Sequence, residues 1–69
     1  MTVYLLEIGE HYDPRHTMKA FASGIAAFKA VPDGFEEKQV GGYFYYADNK
    51  TTKEWLTITE LEVVERSGQ

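Results

Sequence analysis

The chain has no cysteine. Disulfides, thiolate metal sites and cysteine nucleophiles are therefore all excluded, and a small domain without disulfides is more readily reconciled with a reducing cytoplasm than with secretion. No basic stretch precedes the apolar residues Val3 to Leu6, and Glu7 interrupts that run early. This stretch reads as neither a signal peptide nor a membrane span, so no membrane partner is expected. Bases are the minority charge, seven against eleven acids for a net −4. Nucleic acid needs a basic footprint and is not an expected partner, while the acidity is too mild to suggest a DNA mimic. Length is scarce too. The 69 residues support one hydrophobic core, and 1–65 reads as a single domain followed by a fraying tail at 66–69.

Catalytic constellations are equally scarce. A serine nucleophile needs a base within reach and a third group to orient it. Ser23 falls within a helix or at its cap, which is no nucleophile elbow, and Glu36 and Glu37 are adjacent, so a strand would point them to opposite faces. A domain this small has little volume for a water-excluding site. An enzyme is not expected. His11, Asp13 and His16 are the one cluster that resembles metal ligands, but their spacing matches no strong motif and no fourth ligand lies nearby. Two surface histidines are the simpler reading, and no metal or cofactor is expected. Lys38 before Gly41-Gly42 lacks the further glycines and the helix of a phosphate loop.

What remains is a globular composition, 43% apolar and 26% charged, with aromatics at 14%. Thr2 to Ile8 reads as a strand ending at Gly9, with Tyr4, Leu6 and Ile8 on one face and Val3, Leu5 and Glu7 on the other. Two readings compete for the next stretch. In the favoured one, Asp13 caps and Pro14 opens a single helix, because Met18, Phe21, Ala22, Ile25 and Phe28 keep helical spacing. In the other, His16 to Ala22 is a strand and Ser23 caps a shorter helix from Gly24 to Val31. Pro32, Asp33 and Gly34 end the helix either way. Gln39 to Ala47 and Glu54 to Val64 read as an antiparallel hairpin turned at Asp48-Asn49-Lys50, with a bulge expected near Thr59-Glu60. The fold class is α+β. Its expected order is β-α-β-β, a three- to four-stranded, mainly antiparallel sheet with one helix on one face.

One helix covers one face, which draws attention to the aromatic run Tyr43-Phe44-Tyr45-Tyr46. Strand alternation puts Phe44 and Tyr46 with Leu56 and Ile58 under the helix, and Tyr43 and Tyr45 with Trp55 and Thr57 on the uncovered face beside Val3 and Leu5. An apolar patch rich in tyrosine and tryptophan is what binding interfaces use. The plainer alternative is that stacked aromatics stabilise a small sheet, or that the C-terminal segment folds back over them. Glu7, Glu54, Glu60 and Glu62 lie nearby, and they suit a basic protein surface better than phosphate.

Several features together resemble a family of short, uncharacterised domains found in bacteria and their phages. They are the opening Val3-Tyr4-Leu5-Leu6-Glu7, a polar loop holding Tyr12, the alanine-rich segment after Ser23, and the exit Pro32-Asp33-Gly34-Phe35. The resemblance covers about half of the chain and carries no catalytic motif. It implies a strand before Ser23 and a small phage or prophage accessory protein, acting in the host cytoplasm. The chain departs from the family pattern in the helix-forming stretch after Ser23 and in the aromatic hairpin.

The expected function is a non-enzymatic protein-binding module, phage-encoded, that blocks a host defence or housekeeping protein or pairs with a second copy as a homodimer. The partner-binding residues expected are Tyr43, Tyr45, Trp55, Leu5 and Thr57. The alternative is a homo-oligomer that binds or sequesters a small ligand such as a nucleotide, with the rings and Arg15 or Lys38 holding base and phosphate.

Overall fold

The segments richest in Thr, Val, Ile and Leu form the two longest strands of the computed structural model, which describes residues 1–13 and 15–64. In chain order the elements are β1 (Thr2–Glu10), β2 (His16–Phe21), α1 (Gly24–Lys29), β3 (Glu36–Glu37), β4 (Tyr45–Asn49) and β5 (Glu54–Glu62). They build an α+β domain in which five strands form one sheet, ordered β2-β1-β5-β4-β3, with every pairing antiparallel. α1 packs on one face, over β1, β2 and β5.

The expected β-α-β-β order and three to four strands are corrected to β-β-α-β-β-β and five. The extra strands are β2 and the short β3. Residues 16–21 are a strand because β1 would otherwise leave a row of backbone groups unpaired, and six residues of β2 pair with it from Tyr4–Phe21 to Gly9–His16. Ser23 then caps α1, its side chain accepting a hydrogen bond from the Ala26 N–H at 3.1 Å. Asp13 does not cap a helix. Its Oδ1 accepts the Arg15 N–H at 3.0 Å in a local turn. The expected roles of Pro14 and of residues 66–69 lie outside the described residues.

The helix also faces the other way from its large-residue stripe. Ala27 is fully buried while Gly24 and Val31 are half-buried, so small side chains meet the sheet. The approach is close: a Cβ on Gly24 would lie 2.7 Å from Phe44 Cζ and 3.3 Å from Tyr4 Cε2. Ile25 and Phe28 are thereby turned outward. The core is Leu6, Ala27, Ala47, Leu56 and Ile58, with Tyr4, Ile8, Phe21, Val31, Phe35 and Tyr45 packed around it.

The bulge lies elsewhere than expected. β5 pairs with β1 without interruption from Glu54 to Glu62, through Thr59 and Glu60. Instead the Phe44 N–H donates to the carbonyl of Ile58 at 2.9 Å, and Ile58 is also the register partner of Tyr45. Two residues thus oppose one, as in a β-bulge. The expected strand over Gln39 to Ala47 shrinks accordingly. Gly41 and Gly42 belong to a turn, with Gly42 at φ 91°, and β4 begins only at Tyr45. The β4–β5 turn runs through Lys53 at φ 64° and is held by Asn49, whose Oδ1 accepts the N–H groups of Thr51 and Thr52 at 2.9 and 3.1 Å.

Candidate functional site

Cross-strand partners share a face, so the register fixes what the uncovered side presents. One row runs His16, Gly9, Trp55, Asp48 and Glu36, and the next runs Met18, Glu7, Thr57 and Tyr46. Ala20, Leu5 and Thr59 form a third, and Val3 pairs with Leu61 beyond it. No helix or strand among the described residues lies over this face.

Of the expected site residues, Leu5, Trp55 and Thr57 stand on this face, and Tyr43 reaches it from the preceding loop to meet Tyr46 with ring centroids 5.6 Å apart. Tyr45 does not. It lies on the helix side, where its ring meets Phe28 edge-on at 5.2 Å. Tyr46, assigned to the covered side by simple alternation, takes its place on the open face. The bulge is the cause, because it puts Phe44 and Tyr45 on the same side and resets the phase of everything after them. Phe44 meets Tyr4 at 5.0 Å on the helix side, but it stays half exposed instead of being covered.

The open face is not flat. Trp55, Tyr43, Tyr46, Glu7 and His11 surround a cleft of about 390 Å³ whose floor is Thr57. Thr57 is only 6% exposed although no element covers it, so its neighbours' side chains close around it. On one flank the Glu7 carboxylate pairs with Nε2 of His16 at 2.8 Å, and the His16 ring leans on Trp55 at 5.7 Å between centroids. On the other flank Asp48 has Lys38 Nζ at 4.0 Å, while its buried Oδ1 has no hydrogen-bond donor among the described residues. Strand alternation already set Glu7 on the aromatic face, whereas only the register brings His16 and Asp48 to it.

The remaining polar candidates are dispersed. Arg15 binds Asp13 through both guanidinium and carboxylate ends at 3.2 Å, which holds the Asp13 carboxyl below its ordinary value. His11 lies in the β1–β2 loop, its ring 6.4 Å from that of Tyr12, and borders the cleft on the side of Glu7. Among the described residues no three histidine, cysteine, aspartate or glutamate side chains gather closely enough to hold a metal ion. None of the helices among them is long and apolar enough to cross a membrane.

A second apolar surface lies on the helix side. Ile25, Phe28 and Phe44 are 70%, 53% and 53% exposed and line one shallow depression with Gly24 and Lys29. Sequence spacing assigned all three to the core. In comparisons with known proteins, no family model, no curated protein and no solved structure matched the chain.

Proposed function

We propose that this chain is a non-enzymatic protein-binding module, of a phage or prophage accessory kind, whose uncovered sheet face docks on a host protein and blocks it. The observation that carries this reading is the open face itself. Leu5, Val3, Trp55, Tyr43 and Tyr46 share it, no element among the described residues lies over it, and it holds a cleft in which polar groups converge among aromatic rings. The size of the core argues the same way. Leu56 and Ile58 are the only large side chains fully buried among the described residues, so much apolar surface is left to gain from a partner. Blocking a surface requires no catalytic groups.

Affinity capture from host lysate with Trp55→Glu and Leu5→Glu on one face, and Ile25→Glu on the other, tests this directly. The face variants are expected to lose the captured protein while remaining folded, and Ile25→Glu to keep it. Full capture by both face variants would remove the reading.

A second copy of the chain is the other occupant worth naming, favoured by the helix-side patch of Ile25, Phe28 and Phe44. Native mass measurement of the wild type and Ile25→Glu tests it, a dimer that reverts to monomer being the expected result. The nucleotide reading has less support. Neither Arg15 nor Lys38 lines the aromatic cleft, and each already faces a carboxylate. Calorimetry against a nucleotide panel is expected to show no heat.

A further inference from the structure

Resting on the reading of the open face as a protein interface, we infer that its cleft receives an arginine side chain of the partner. The lining residues are Glu7, His11, Tyr43, Tyr46, Trp55 and Thr57. Among the described residues they include the rings of Tyr43, Tyr46 and Trp55, the His11 imidazole and one carboxylate, but no lysine or arginine. Ring faces are negative, so a cation set among them is attracted by the rings and by Glu7 together. An anion would meet repulsion from Glu7 and from the ring faces, and a neutral apolar side chain would strip water from Glu7 without replacing its contacts.

Arginine fits better than lysine on geometric grounds. Its planar guanidinium stacks on a ring while its edge donates a fork of N–H groups to a carboxylate. The cleft offers both within one opening. Tyr43 and Tyr46 make a tilted pair, 48° between planes, and Glu7 stands in the neighbouring strand across Thr57. Glu7 is already oriented by His16 at 2.8 Å, with its side chain 23% exposed, so it is held in place yet reachable. The chain's net charge of −4 would steer a basic partner surface toward it.

Trp55 is the sole tryptophan, so its fluorescence reports on this cleft alone. The folded protein is titrated with three blocked pentapeptides that differ only at the central residue: arginine, its neutral isostere citrulline, and lysine. The arginine peptide is expected to shift Trp55 emission saturably, with a Kd of roughly millimolar order for so small a ligand, and to bind about ten-fold more tightly than citrulline. Glu7→Gln and, independently, Tyr43→Leu should each weaken it several-fold, circular dichroism verifying that both remain folded. Equal binding of citrulline, a preference for lysine, or indifference to both substitutions would overturn the assignment. If Trp55→Glu abolishes partner capture while the arginine peptide leaves the emission unchanged, the arginine assignment fails and the interface stands. If the peptide binds and capture is unaffected, the interface fails instead.

Discussion

The Trp55 indole rests on Gly9 of the adjacent strand, so closely that a Cβ on Gly9 would lie 2.6 Å from its Cζ2 and 2.9 Å from Cβ of His16. The absent side chain is what lets an aromatic ring and an imidazole settle over the β1–β5 and β1–β2 ladders on the uncovered face. One glycine thereby shapes one wall of the cleft.

Gly9→Ala must therefore displace Trp55 or His16. The substitution should cost about 1–3 kcal/mol, in the range of overpacking elsewhere, and should red-shift Trp55 emission as the ring lifts toward water. Urea denaturation followed by fluorescence measures both. An unchanged midpoint and spectrum would mean that the ring does not bear on Gly9.

Tyr43 and Tyr45 are two residues apart but should behave oppositely. Tyr45→Glu sets a carboxylate against Phe28 and the core, near Glu37, and is expected to cost about 2–4 kcal/mol, enough to unfold much of so small a domain. Tyr43→Glu should leave the denaturation midpoint within about 0.5 kcal/mol of wild type, as surface changes usually do. Reversal of this order would contradict the bulge at Phe44.

Ser23 sets the start of a helix only six residues long. Ser23→Ala should destabilise the domain by about 1 kcal/mol, and Ser23→Asp should restore most of it, since aspartate caps as well as serine. Thermal melts by circular dichroism distinguish the two.

Asn49 is 8% exposed and its Oδ1 accepts two backbone N–H groups of the β4–β5 turn. Asn49→Ala leaves both donors without that acceptor and should cost about 1–3 kcal/mol. Asn49→Asp preserves the acceptor and should cost less, read from urea midpoints at neutral pH.

Two phenols link stability to alkaline pH. The hydrogen bond that Tyr4 donates to Glu60 at 2.8 Å, with lesser help from burial, raises its pKa above the ordinary 10.0. Burial, then the charge of Glu37, raises Tyr45 likewise. A raised folded-state pKa means that the native state holds the proton more tightly. This contribution is intact below the unfolded value and is lost as pH rises through the folded one. Wild-type stability should fall between about pH 9 and about pH 11, and the fall should be shallower in Tyr45→Phe. Tyrosinate absorbance of wild type against Tyr45→Phe should show the Tyr45 phenol ionising above its ordinary value.

Much of this was legible in residue order. Alternation in Thr2–Glu10 placed Leu6 and Ile8 inward and Leu5 outward, because a strand's side-chain period is fixed at two. The β4–β5 hairpin announced itself through an aromatic run before the Asp48-Asn49-Lys50 turn signal and a segment rich in Thr and Ile after it. The helix face was not legible, since spacing favours Ile25 and Phe28 inward whereas the sheet lies too close to admit anything larger than Gly24 and Ala27. The strand at His16–Phe21 with Ser23 capping the helix was legible only as the rival of a longer helix, and the structure takes that rival. Its apolar residues also fit a helix, and only the unpaired edge of β1 decides between the two.

By itself, then, the sequence determined the α+β class, an aromatic hairpin and the lack of thiol chemistry, all consequences of composition and local periodicity. Tertiary structure alone decided which aromatics share a face. A single backbone hydrogen bond, from Phe44 to the carbonyl of Ile58, shifts the phase by one residue, sends Tyr45 under the helix and sets Tyr46 beside Tyr43 and above Thr57. Pairing register is a property of two strands brought together, and residue order along one of them does not contain it.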